Sequence, residues 1–130
     1  MGTSLTLLPL FGGPGKLCEI SVLCYNRLDM DTDYQIFSQI IDMSYRQEEG
    51  ISKKPTIQTY PIPPQMWVRT YGDEGIEKAH EDGDGKALTF VYAQQLKKLR
   101  IPDNASSQNK AIKAFVDALP DDVPIILMWH

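Results

Sequence analysis

The sequence predicts an α+β fold, a mostly antiparallel sheet of about four to five strands with about three helices packed on it. Three observations carry this expectation. The chain of 130 residues has apolar runs of strand length near both ends, "TSLTLLPLF" and "VPIILMWH". Two stretches, beginning at Asp31 and Ser106, repeat apolar residues at helical spacing. The elements then fall in the order strand, strand, helix, loop, strand, a further short strand or polar loop, helix, helix, strand. A single domain over residues 1–130 is long enough to bury a core without staples.

Thr3 to Leu10 is short, apolar and bounded by glycines, so it reads as a strand. Pro9 lacks an N–H and belongs at an edge or a bulge near the strand's end. In "LCEISVLCY", Leu17 to Tyr25, Cys18, Ile20, Val22 and Cys24 form an apolar face and the alternate residues a mixed one. The two strands could pair as a hairpin across "FGGPGK". A helix follows from Asp31, with Tyr34, Phe37, Ile40, Ile41 and Tyr45 on its apolar stripe. Asp31 or Thr32 would cap it, and Asp33 suits the positive end of the dipole.

Arg46 to Gln65 contains four prolines and a glycine and reads as a long extended loop. "WVRTY", Trp67 to Tyr71, has strand composition, and "GDEG" turns the chain into Ile76 to Glu81, a short strand or a polar loop. "EDGDGK" is another turn. Two helices are expected next. "TFVYAQQLKKL" aligns Leu88, Tyr92, Leu96 and Leu99 with Thr89 as cap; "SSQNKAIKAFVDAL" aligns Ile112, Phe115, Val116 and Leu119, capped by Ser106 or Ser107 and stopped by Pro120. The closing "VPIILMWH" is apolar enough to be inserted between other strands.

The net charge of -4 lacks the clustered Lys and Arg of a nucleic-acid binder, so direct nucleic-acid binding is not expected. Cys18 and Cys24 on one strand would lie roughly 20 Å apart at about 3.3 Å per residue. A disulfide between them is therefore not expected, and two buried thiols fit a reducing cytoplasm. "TSLTLLPLF" has no basic flank or cleavage signal and is far shorter than a membrane span, so neither targeting nor membrane insertion is expected.

Several motifs invite chemical readings that their spacing does not sustain. A phosphate-binding loop needs Gly five positions before Gly15 and Ser or Thr after Lys16; the sequence has Leu10 and Leu17 there. Asp29, Asp31 and Asp33 begin a calcium-loop pattern, but its required Gly and Glu positions hold Tyr34 and Ile40. "HEDGDGK" departs likewise, with His80 for the first Asp and Val91 for the last Glu. No metal and no cofactor is expected. His80 and His130 are the only histidines, and neither sits in a recognisable nucleophile motif. The expectation is a protein that is not an enzyme, with a small hydrolase using His80 as an alternative.

One constellation remains. Tyr60, Trp67, Arg69, Tyr71 and His80 fall in and after the proline-rich loop, and on a strand Trp67, Arg69 and Tyr71 share one face. Two aromatics flanking an arginine suit a protein-binding hot spot, or a base sandwiched beside a paired phosphate. They also suit an amphipathic sheet face beneath a loop.

The landmarks "LCEIS" at Leu17, "DTDYQIF" at Asp31, "YPIPP" at Tyr60, "LTFVYAQQL" at Leu88 and "PIILMWH" at Pro124 occur in that order along most of the chain. Together they resemble a family of small phage- and plasmid-encoded proteins of uncharacterised function. That family opens with a Gly-Cys-Asp-Ile-His strand. Ser21 stands where the family has His, so no role of that histidine transfers. The resemblance implies a mobile-element origin. The leading expectation is a phage-encoded binding protein, acting in the host cytoplasm against a defence system by capturing a host protein. Its alternative is a sponge for a nucleotide-like signal, using Trp67, Arg69 and Tyr71 with Lys16 or Arg27. Homo-oligomerisation is left open.

Overall fold

The computed structural model describes residues 3–18, 21–23, 27–41, 55–72, 75–83 and 85–130, with 18, 21–23, 70–72 and 75–79 described by backbone alone. The α+β expectation holds. The main sheet has five strands in the order β3 (Leu28–Met30), β1 (Leu5–Pro9), β8 (Pro124–Trp129), β7 (Thr89–Tyr92), β4 (Tyr60–Pro61), every neighbouring pair antiparallel. Three helices, α1 (Tyr34–Phe37), α2 (Ala93–Leu96) and α3 (Ser107–Asp117), cover one face.

β8 takes the central place its composition predicts. Ile125, Leu127 and Trp129 join Leu5, Leu7 and Val91 in a core with Ile36, Phe37, Leu96, Ile112 and Val116 of the helices. Ile126 points the other way, into a second core with Leu8, Leu10, Leu88, Phe90, Ile62, Met66 and Val68. A strand buried on both faces has no room for polar alternation, which is why "PIILMW" has none. Pro9 sits inside the sheet rather than at its edge. It pairs with Ile125 of β8, and the pairing of β1 with β3 has already ended at Leu7, so no ladder bond on that side needs its missing N–H.

The second core is closed by a smaller sheet, in the order β2 (Ser21–Leu23), β5 (Trp67–Gly72), β6 (Gly75–Ala79). Here β2 runs parallel to β5, and β5 and β6 form a tight hairpin. The expected hairpin of the first two strands does not form. β1 is hydrogen-bonded on both sides by β3 and β8, and Gly12 and Gly13, at φ of 110° and 82°, turn the chain into a short 3₁₀ helix over Pro14–Cys18. Cys18 thus lies in that turn and not on a strand; Cys24 falls outside the described residues. Ile76 to Ala79 is strand, resolving the alternative left by the sequence.

Thr89 to Tyr92 is the principal departure, a central strand in place of a helix start. Its residues are β-branched or aromatic, and Phe90 and Val91 feed opposite cores, as a doubly buried strand requires. The helix begins only at Ala93, where the Gln95 side chain accepts the Tyr92 N–H at 2.9 Å. Asp33, not Asp31 or Thr32, caps α1, its carboxylate accepting from Gln35 and Ile36 N–H. Ser106 caps α3 as expected, accepting from the Asn109 N–H. Phe115, expected in the core, is 40% exposed. Of the expected long loop, residues 46–54 lie outside the described residues, as does Tyr45.

Candidate functional site

The small sheet decides which way the predicted site faces. Val68 is fully buried toward the main sheet, so its neighbours Trp67 and Arg69 point to the sheet's outer side. Trp67 is 37% exposed, and its ring lies against His80 with centroids 3.3 Å apart. The β5–β6 hairpin produces this contact: the two residues stand one step beyond the Val68–Ala79 pair. His80 is held from the other side, its carbonyl accepting the Leu88 N–H at 2.9 Å.

Arg69 is half-buried beside them. Its Nε is shielded from solvent and has no hydrogen-bond partner among the described residues. A buried donor of this kind costs free energy until an acceptor reaches it. Lys78 is the register partner of Arg69, so two cationic residue types stand opposed across the hairpin. Tyr71 follows on β5, in register with Ile76.

Tyr60 is not brought to this face. It lies on β4 of the main sheet, packed against Phe90 and Tyr92 at 5.5 and 6.0 Å, and its hydroxyl accepts from Gln95 Nε2 at 2.9 Å. Tyr60 is thus a scaffold residue, joining the sheet edge to α2.

A second polar cluster was not singled out from the sequence. On the main-sheet face away from the helices, Thr6 donates to Asp29 Oδ1 at 2.6 Å and lies 2.9 Å from His130 Nε2. Arg27 donates to Asp29 through Nε and Nη2, the latter at 2.9 Å. Burial alone would raise the Asp29 pKa. Hydrogen bonds from Arg27 and Thr6, with the charges of Arg27 and His130, outweigh it and hold the carboxyl below its ordinary value.

The hydroxyl has one proton, and the short contact gives it to Asp29. Its oxygen therefore accepts from His130 Nε2–H. A nucleophilic hydroxyl would instead give its proton to the imidazole, so this polarity suits a clamp rather than a triad. The clamp joins the ends of β1, β3 and β8, reinforced by reciprocal backbone bonds between Ser4 and His130. The signal was alternation: Thr6 opposes Asp29 and Met128 in register, which puts His130 on the same face two residues on.

The motif-like loops are occupied by their own structure. The aliphatic stem of Lys16 lies over Gly12, where an added Cβ would meet its Cε at 2.8 Å. Asp29 and Asp33 of the calcium-like pattern turn to different partners, Arg27 and the α1 N-terminus. Among the described residues, no group of three or more His, Cys, Asp or Glu is placed to hold a metal ion, and no helix is long and apolar enough to cross a membrane. No family model, curated protein or solved structure matches the chain.

Proposed function

We propose that the chain is a non-enzymatic binding protein that captures a partner protein on the outer face of its small sheet. The observation that carries this reading is the ring pair of exposed Trp67 and half-buried His80 beside Arg69, whose Nε is buried without a hydrogen-bond partner among the described residues. Trp and Arg are the side chains that most often dominate binding energy at protein interfaces. An acceptor delivered by a partner would remove the cost of that buried donor. The resemblance to small phage- and plasmid-encoded proteins makes a host cytoplasmic protein, and within that class a defence protein, the first partner to test.

The same ring pair and guanidinium also suit a nucleotide-like ligand, so the experiment must separate the two. The partner is captured from host lysate, identified, purified and titrated calorimetrically against the chain. Trp67→Ala and Arg69→Glu are each expected to weaken binding at least tenfold while the thermal transition stays cooperative. Unchanged affinity in both variants removes this face as the interface. A saturable thermal shift of several degrees with a nucleotide, lost in Trp67→Ala, replaces the protein partner with a small ligand.

A further inference from the structure

A second surface, on the opposite side of the main sheet from the small sheet, belongs to α3. This helix turns Asn109, Ile112 and Val116 inward. At about 100° per residue, Ala111, Ala114 and Ala118 run along the middle of its outer face. Phe115 flanks them on one side, Lys110 and Asp117 on the other, and all six are exposed. Phe115 is 40% exposed and meets the ring of Phe11, 44% exposed, edge-on at 6.3 Å. These two large aromatic rings rest on each other outside both cores.

The charges of α3 run against its own dipole. Lys110 and Lys113 lie in its N-terminal half; Asp117 lies at its C-terminus, followed by Asp121 and Asp122. Its first turn holds no acid and its last turn no base. Anions favour helix N-termini and cations C-termini, so this order is locally unfavourable. Even the Lys113–Asp117 ion pair, at 2.7 Å, has the weaker of the two i,i+4 orders. A second helix lying antiparallel converts the same pattern into complementarity, base against acid at both ends.

We propose that α3 is the interface of a two-fold symmetric dimer of this chain, in which two copies pack their α3 helices antiparallel across Ala114. Such an axis reverses the helix direction and sets each flank against itself. Lys110, four residues before Ala114, comes level with Asp117 of the second copy, three residues after it, and the pair forms twice. On the other flank the two Phe115 rings meet, each backed by its own Phe11. The three alanines let the backbones approach to about 8 Å. The surface is its own complement under the two-fold, as an isologous interface must be. An eleven-residue helix is about 16 Å long, so the contact is at the small end of specific interfaces and the dimer depends on concentration.

Sedimentation velocity over a hundredfold range of concentration tests this. A reversible monomer–dimer equilibrium is expected for the parent chain. Phe115→Asp is expected to be monomeric throughout, with a thermal midpoint close to the parent's at dilutions where the parent is monomeric, since the ring stabilises neither core. Lys110→Glu and Asp117→Lys are each expected to weaken the dimer at least tenfold, and mixing the two variants to restore it as a heterodimer. A parent chain that stays monomeric at every concentration overturns the proposal. So does a dimer that survives Phe115→Asp, or a charge-reversed pair that fails to recover on mixing. These outcomes leave the partner-binding reading of the small sheet untouched, because the two surfaces lie on opposite sides of the main sheet.

Discussion

Asn109 is a polar residue in the buried stripe of α3, 1% exposed, and its removal should be costly for a definable reason. Its Oδ1 accepts the Asp31 N–H at 2.8 Å and its Nδ2 donates to the Asp31 carbonyl at 3.0 Å. One side chain thus satisfies both peptide groups of the residue linking β3 to α1. Asn109→Ala removes two hydrogen bonds at about 1 kcal/mol net each. A small void adds about 1 kcal/mol, and the better helix propensity of Ala returns about 0.5. The expected loss is about 2.5 kcal/mol, read as a lower urea midpoint with unchanged slope, or a fall in Tm of about 8–12 °C. Asn109→Asp separates the two bonds. The introduced carboxylate can still accept from the Asp31 N–H but sets a second oxygen against the Asp31 carbonyl. Protonation supplies the missing donor, so the folded state raises that carboxyl's pKa, and the variant should regain stability relative to the parent between pH 7 and pH 4. An Asn109→Ala loss below about 0.5 kcal/mol, or an Asn109→Asp deficit independent of pH, refutes the bridge as described.

Ile126, fully buried at the centre of the second core, should cost about 3–4 kcal/mol when changed to Ala, measured by urea denaturation. Asp29→Asn tests the clamp over Thr6. A carboxyl whose folded pKa is depressed contributes stability above about pH 4 and loses it as pH falls through the folded value. The parent's advantage over Asp29→Asn, under about 1 kcal/mol at this half-exposed site, should therefore be present at pH 7 and disappear on acidification. In Gly83→Ala the added Cβ would lie 2.7 Å from His130 Cβ and 3.0 Å from its Cα, against backbone that cannot swing away. It should cost about 1–3 kcal/mol and speed exchange of the Gly83 amide, now bonded to the Trp129 carbonyl at 2.7 Å.

What could be read from the sequence follows from which forces were local. β8 was legible because six consecutive apolar residues leave a strand little choice except burial on both faces. α3 was legible because its cap, its period and its stop are all written within fifteen residues of one another. "TFVYAQQL" was not, because Leu88, Tyr92 and Leu96 fit a helical stripe while Thr89 to Val91 carry strand propensity. The sheet contacts of Phe90 and Val91 decided the contest. The three residues of β2 carry no local sign of their parallel partner β5. At the candidate site, residue type pointed to Trp67, Arg69 and His80, and the β5–β6 register, from Gly72–Gly75 to Val68–Ala79, brings Trp67 to His80. Tyr60 was grouped with them by nearness in sequence, and the topology separated it by sending β4 to the main sheet.

The arrangement of the two cores limits which parts of the main sheet can meet a ligand. β8 is apolar on both faces, and β7 sends Val91 into one core and Phe90 into the other, so the middle of the main sheet is filled by the two cores. At the Thr6–Asp29 pair of β1 and β3, polar side chains form the Thr6–Asp29–His130 clamp, whose groups are spent on one another. On the outside of the small sheet they are not spent: Trp67 and His80 are in contact with each other, and Arg69 keeps a donor without a partner among the described residues. The small sheet contributes Val68 to the second core, and Met66 just before β5 joins it there. Its outer residues can therefore be altered with little effect on that core. Losses of binding in Trp67→Ala or Arg69→Glu can then be read as losses of the surface rather than of the fold.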